Sequence, residues 1–129
     1  MAAGEFVEVY AKAEERGSWD VVATCYFIDT AKNVLRYLEV INHVLPVGGW
    51  WVNVGPLLWH FEQDRIPSVE LTLDELLSLL AHCGFELEEQ RTLSPQTYTG
   101  VPHSMLAHHY VPEFWVCRKV RHHSMAPSV

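Results

Sequence analysis

The sequence predicts an α/β fold, and three observations carry that prediction. An apolar run, Val21 to Ile28, ends abruptly in an acid at Asp29 and is followed at once by helical spacing. A glycine turn, Pro46-Val47-Gly48-Gly49, then leads into a second apolar run, Trp50 to Val54. About twenty residues containing a helix separate the two runs, the crossover that parallel strands require. Finally, Thr72-Leu73-Asp74-Glu75 opens another helix ahead of two terminal strands.

Taken in order, Phe6 to Glu15 sets Phe6, Val7, Val9, Tyr10 and Ala13 among acids, which predicts a short helix ended by Gly17. Val21 to Ile28 is apolar almost without interruption, the pattern of a strand covered on both faces. Asp29-Thr30 can cap the next helix, Ala31 to Leu45, in which Val34, Leu35, Leu38, Ile41 and Leu45 form one apolar face. The second strand stops at Gly55-Pro56, and an irregular stretch with Trp59, His60 and Phe61 follows.

Thr72 then caps a helix through Cys83, with Leu73, Leu76, Leu77 and Leu80 buried and Gly84 closing it. Alternation over Phe85 to Thr92 reads as a half-exposed strand. Leu93 to Met105 is a loop broken at Ser94-Pro95 and Gly100-Val101-Pro102, and Tyr110 to Val120 is the last strand. Pro112 suggests a bulge or edge near its start. The two terminal strands make an antiparallel hairpin at one edge. Residues 1–120 form the domain, and 121–129 are expected to be a disordered tail.

Several function classes are excluded by composition. At 129 residues the chain is one domain or less, with 49% hydrophobic and 19% charged residues. A net charge of −7 argues against nucleic-acid binding, and Arg118, Lys119 and Arg121 read as a solubilising tail. No apolar run spans a membrane, and the N-terminus is not a signal peptide. Cys25, Cys83 and Cys117 are odd in number and far apart, so free thiols in a reducing compartment are expected. His108-His109 and His122-His123 lack a third ligand at useful spacing, so no metal site is expected.

In open α/β sheets ligands gather beyond the carboxyl ends of the strands, which makes Asp29 and His60 the candidate site. Each has a plainer reading. Asp29 serves equally as a helix cap, and a histidine between Trp59 and Phe61 is more often packed than reactive. Tyr98 and Tyr110 offer ring faces and hydroxyls to a ligand, or merely core and rim. Trp50, Trp51 and Trp115 are assigned to packing. No G-x-G-x-x-G or P-loop occurs, so the chain reads as the second half of a doubly wound domain.

Specific stretches sharpen this. TCYFIDTA at Thr24–Ala31 and NVGPLLWHF at Asn53–Phe61 stand beside GEFVEVY at Gly4–Tyr10, TYTG at Thr97–Gly100 and HHYVPEFWVCRK at His108–Lys119. With VELTLDELLSLLAHCGFELE at Val69–Glu88, they cover almost the whole chain to Lys119. The chain resembles the C-terminal half of the carnosine N-methyltransferase family, within the class I S-adenosylmethionine-dependent methyltransferases.

The resemblance implies a Rossmann-like sheet and methyl transfer to the imidazole of carnosine, giving anserine. It implies Asp29 and His60 as the groups holding the imidazole, and Tyr98 and Tyr110 as enclosing the dipeptide. Glu5, Phe6 and Cys25 match cofactor-contacting positions, Glu5 standing where the family usually has Asp. A cytoplasmic and nuclear setting, a small-molecule partner and a homodimer of the full-length protein follow from the same resemblance. The family's N-terminal strands, glycine-rich cofactor loop and ribose-binding acid have no counterpart in this sequence. A fragment with weak activity, or an inactive interaction module, is therefore expected.

Overall fold

Four strands form one mixed sheet in the order β1-β2-β4-β3. The computed structural model describes residues 1–59, 61, 67–97 and 100–127. The strands are β1 (Val21–Cys25), β2 (Trp50–Gly55), β3 (Phe85–Thr92) and β4 (Glu113–Lys119). β1 and β2 run parallel from Val21↔Trp50 to Cys25↔Val54, as the crossover requires. β4 lies antiparallel between β2 and β3, so the expected terminal hairpin supplies the far side of the sheet.

The helices are α1 (Phe6–Tyr10), α2 (Val34–Val44) and α3 (Leu73–His82). Helix α3 has its full capping box: Thr72 Oγ1 accepts from Glu75 N–H at 3.3 Å, and Thr72 N–H donates to the Glu75 carboxylate at 2.8 Å. Val34, Leu38, Ile41 and Leu45 of the α2 segment join Leu76 and Leu80 of α3 in a core with Trp51, Phe85, Trp115 and Cys117. Trp51 meets Trp115 edge to face at 5.6 Å, within the range such pairs favour.

Several expectations are corrected. The predicted helix over Phe6–Glu15 is a five-residue helix and a separate 3-10 turn at Ala13–Glu15. Contacts with the end of α2 pull the chain out of helix there: His43 Nε2–H donates to Lys12 O at 2.8 Å, and Gly17 N–H to His43 O at 2.9 Å. The helix expected from Ala31 starts at Val34, because Asn33 takes the capping role, accepting Arg36 N–H at 3.3 Å. β3 is less buried than its alternation suggests: only Phe85 is buried, and the register shifts between Leu87 and Glu89. β4 begins at Glu113, and Tyr110 lies outside it in an isolated bridge with Gln96.

The strand expected to be covered on both faces is an edge strand. Val21 is 54% exposed, and Ala23 and Cys25 beside it are also exposed. Apolar continuity reports that a strand is apolar, not that both faces find partners. A buried polar chain on the covered face ties β1 to β2. Trp51 Nε1–H donates to Thr24 Oγ1 at 2.9 Å, and that hydroxyl donates to Asn53 Oδ1 at 2.7 Å.

The basic cluster at the end of β4, Arg118, Lys119 and Arg121, is not a solubilising tail. Lys119 is 3% exposed, and its Nζ donates to Asn42 O and Leu45 O at 2.6 Å each, closing the last turn of α2. Burial, with Arg16 as a nearby cation, pulls its pKa below the ordinary lysine value. Arg121 donates to the carbonyls at the end of α3, including His82 O. The segment expected to be disordered lies along α2 as far as it is described: His123 N–H donates to Asn42 Oδ1 at 2.9 Å and Ala126 N–H to Glu39 Oε1 at 3.2 Å.

Candidate functional site

At the carboxyl edge of β1 the backbone leaves the sheet abruptly. Tyr26 adopts φ +50, a left-handed conformation uncommon for a side chain of its size. Its N–H still donates to Val54 O at 2.8 Å, which fixes the exit against β2. Gly55 makes this approach feasible, since a Cβ there would lie 3.0 Å from Tyr26 Cα and N. The turn continues through a 3-10 segment, Ile28–Thr30, braced by Thr30 Oγ1 donating to Phe27 O at 2.6 Å.

Asp29 sits inside that turn, 5% exposed. Its Oδ2 accepts Leu58 N–H at 2.9 Å, joining the end of β1 to the segment leaving β2. It does not cap α2. With Asn33 in that role, the helix-cap reading no longer accounts for Asp29. A buried carboxylate at a sheet edge, held by a backbone N–H, retains further acceptor positions.

Tyr110 reaches the same edge from the far side of the chain. Its ring meets that of Tyr26 at 6.1 Å and 84°, edge to face. Asp29 and Tyr110 are thus both at the carboxyl end of the parallel pair, whereas His60 and Tyr98 lie outside the described residues. Sequence reasoning missed Tyr26, because nothing in an apolar run announces a left-handed residue.

A cavity of about 350 Å³ runs beside β1, lined by Phe6, Tyr10, Trp19, Val22, Cys25 and Phe27 among others. Phe6 is held there by edge contacts at 5.1 Å with both Phe27 and Tyr37, which stack on each other at 4.9 Å. Glu5 does not line this cavity. Its Oε2 caps α1 by accepting Glu8 N–H at 2.9 Å, and it borders another depression with Thr30, Lys32 and Phe61. So Phe6 and Cys25 share a cavity, while Glu5 flanks the neighbouring one. Among the described residues no group of three or more His, Cys, Asp or Glu is placed to hold a metal ion.

The three thiols differ sharply. Cys25 is exposed, whereas burial raises Cys83 to about 11 and Cys117 to about 12. Only the thiolate is nucleophilic, so the two buried groups are inert near neutrality. Iodoacetamide at pH 8 is expected to label one cysteine per native chain, Cys25, and all three after unfolding. Mass spectrometry of the digest checks the site, and native labelling of Cys83 or Cys117 would contradict the burial described.

A sequence profile of the family described as Carnosine N-methyltransferase matches residues 1–121. The Schizosaccharomyces pombe protein named Carnosine N-methyltransferase is 47% identical over 128 residues, covering 92% of this chain and 34% of its own length. The Rattus norvegicus protein of the same name is 41% identical over 120 residues, covering 92% and 29%. The chain therefore spans about a third of the length of the curated relatives it matches. A crystal structure of a SAM-dependent methyltransferase from Methanosarcina mazei superposes with a TM-score of 0.54 at 17% identity, covering 81% of this chain and 61% of that one. The sheet is thus a partial Rossmann-like domain of the class I methyltransferase type.

Proposed function

The chain belongs to the carnosine N-methyltransferase family, and we propose that it carries the acceptor side of a methyl transfer from S-adenosylmethionine to an imidazole nitrogen. The acceptor is carnosine, giving anserine, or a related histidine-containing dipeptide. The observation that carries this reading is Asp29: buried, at the carboxyl edge of the parallel pair, and free of the capping role its position suggests.

Methyl transfer is an in-line displacement, so the protein's task is alignment and exclusion of water. The cofactor supplies an electrophilic methyl group on a sulfonium. A neutral imidazole attacks through one ring nitrogen while its other N–H must be held to fix the tautomer. Asp29 accepts that N–H and stabilises the positive charge that builds on the ring. His60 and Tyr98 complete the hold on the acceptor, and Tyr110, braced by Tyr26, closes over it.

The aromatic and apolar cavity beside β1 suits an adenine, with Phe6 against the ring and Cys25 at the strand end. Glu5 borders the neighbouring depression instead, its Oε2 held by the first turn of α1. No glycine-rich phosphate or nucleotide loop is encoded, so the rest of the cofactor requires residues beyond the partial domain at 1–120. Free thiols accord with a cytoplasmic or nuclear setting, and homodimerisation belongs to the full-length form.

Labelled S-adenosylmethionine and carnosine provide the test. The 129-residue chain alone is expected to transfer little label. A chain of the relatives' full length carrying this segment is expected to yield anserine, identified by chromatography. Methylation of the amine instead, or of neither group, would sink the assignment. The exposed edge of β1 favours a second reading, an interaction module without turnover. A clean monomer by size-exclusion chromatography would count against it.

A further inference from the structure

A second carboxylate faces a cavity at the same sheet edge. Glu113 pairs with Gly55 in the sheet register, so it marks the end of β2 from which the segment carrying Leu58 departs. It is 9% exposed and forms part of the wall of a cavity of about 360 Å³, with Leu57, Trp59, Leu71 and Val111. Gln90 Nε2–H donates to its Oε2 at 3.0 Å, and Thr92 Oγ1 donates to its Oε1. These donors are neutral, and among the described residues no cation pairs with it.

Buried carboxylates ordinarily have a cationic partner, because desolvating an unpaired charge is costly. Two donors fix the orientation of this carboxylate while leaving acceptor positions free, since an ionised carboxyl offers about four. The segment Pro56–Trp59 meets both buried acids: Leu58 N–H donates to Asp29, and Pro56, Leu57 and Trp59 line the cavity that Glu113 also lines. An imidazole dipeptide has two groups that suit such a pair, a ring N–H and a primary ammonium.

Resting on the acceptor reading above, we propose that Glu113 is the ammonium subsite: it takes the free amino end of the dipeptide while Asp29 takes the imidazole. Glu113 then determines specificity. It favours a short acceptor with an unblocked amine and disfavours acylated dipeptides or internal histidines, which would leave it without its counter-charge.

Titration of the protein with carnosine, N-acetylcarnosine and 4-methylimidazole, followed by amide chemical shifts, tests this. Carnosine is expected to bind roughly 10- to 100-fold more tightly than N-acetylcarnosine, the range of a hydrogen bond to a charged group. Glu113→Gln should erase that preference while retaining affinity for 4-methylimidazole, and Glu113→Asp should keep part of it. No preference in the wild-type protein would overturn the proposal without any variant, as would a preference that survives in Glu113→Gln. Failure of all three ligands to bind would instead overturn the acceptor reading itself, and this subsite with it.

Discussion

Asp29→Asn is expected to leave the fold intact and to lower methyl transfer by about 10²- to 10³-fold, the usual cost of removing one electrostatic partner of a developing charge. The substituted amide oxygen can still accept Leu58 N–H, so the link from β1 to the segment after β2 survives. The negative charge that the alkylated imidazole requires does not. Asp29→Ala removes both and adds a stability loss of about 1–3 kcal/mol, because Leu58 N–H loses its partner. The comparison separates chemistry from architecture. Turnover is measured with carnosine in a full-length form, and stability by urea unfolding of the chain. Unchanged turnover in Asp29→Asn would remove Asp29 from the mechanism.

Lys119→Met is expected to show the largest loss of stability from a polar position, about 3 kcal/mol. Methionine keeps the aliphatic stem and the packing but gives up the ammonium. Asn42 O and Leu45 O, at the end of α2, then lose their donor in a place water does not reach. The cation also complements the negative end of the α2 dipole. Denaturant unfolding of the two proteins checks the figure. A difference below about 1 kcal/mol would mean that the two carbonyls find other donors.

The order of elements was legible because each carries its own local signal. The Thr72 to Glu75 box, the apolar face of α2 and the glycine turn before β2 each specify local backbone structure without reference to the rest of the fold. What was not legible depends on distant partners. The short α1 is decided by His43 and Gly17, and Lys119 by the end of α2, contacts that no pattern within one element encodes. Arg118 and Lys119 are adjacent basic residues with opposite fates. One pairs with exposed Glu86 and Glu88, and the other is buried.

At the site, sequence reading identified Asp29 but left two roles open. The geometry removes one of them by giving the α2 cap to Asn33. Tyr26 and Gly55 went unnoticed because a left-handed residue and its glycine counterpart are paired across strands, not along the chain. Cys25 and Phe6 do share a cavity, but Glu5 stands apart because its carboxylate is used locally by α1.

The exposed side of β1 has a thermal consequence. Unfolding an ordinary domain raises the heat capacity by about 12–15 cal/mol/K per residue, as apolar surface becomes hydrated. Here Val21, Ala23 and Cys25 already meet solvent in the folded chain. Part of their contribution to that increment is already realised in the folded chain, so the curve of stability against temperature is flatter than that of a chain of equal length with a fully covered sheet.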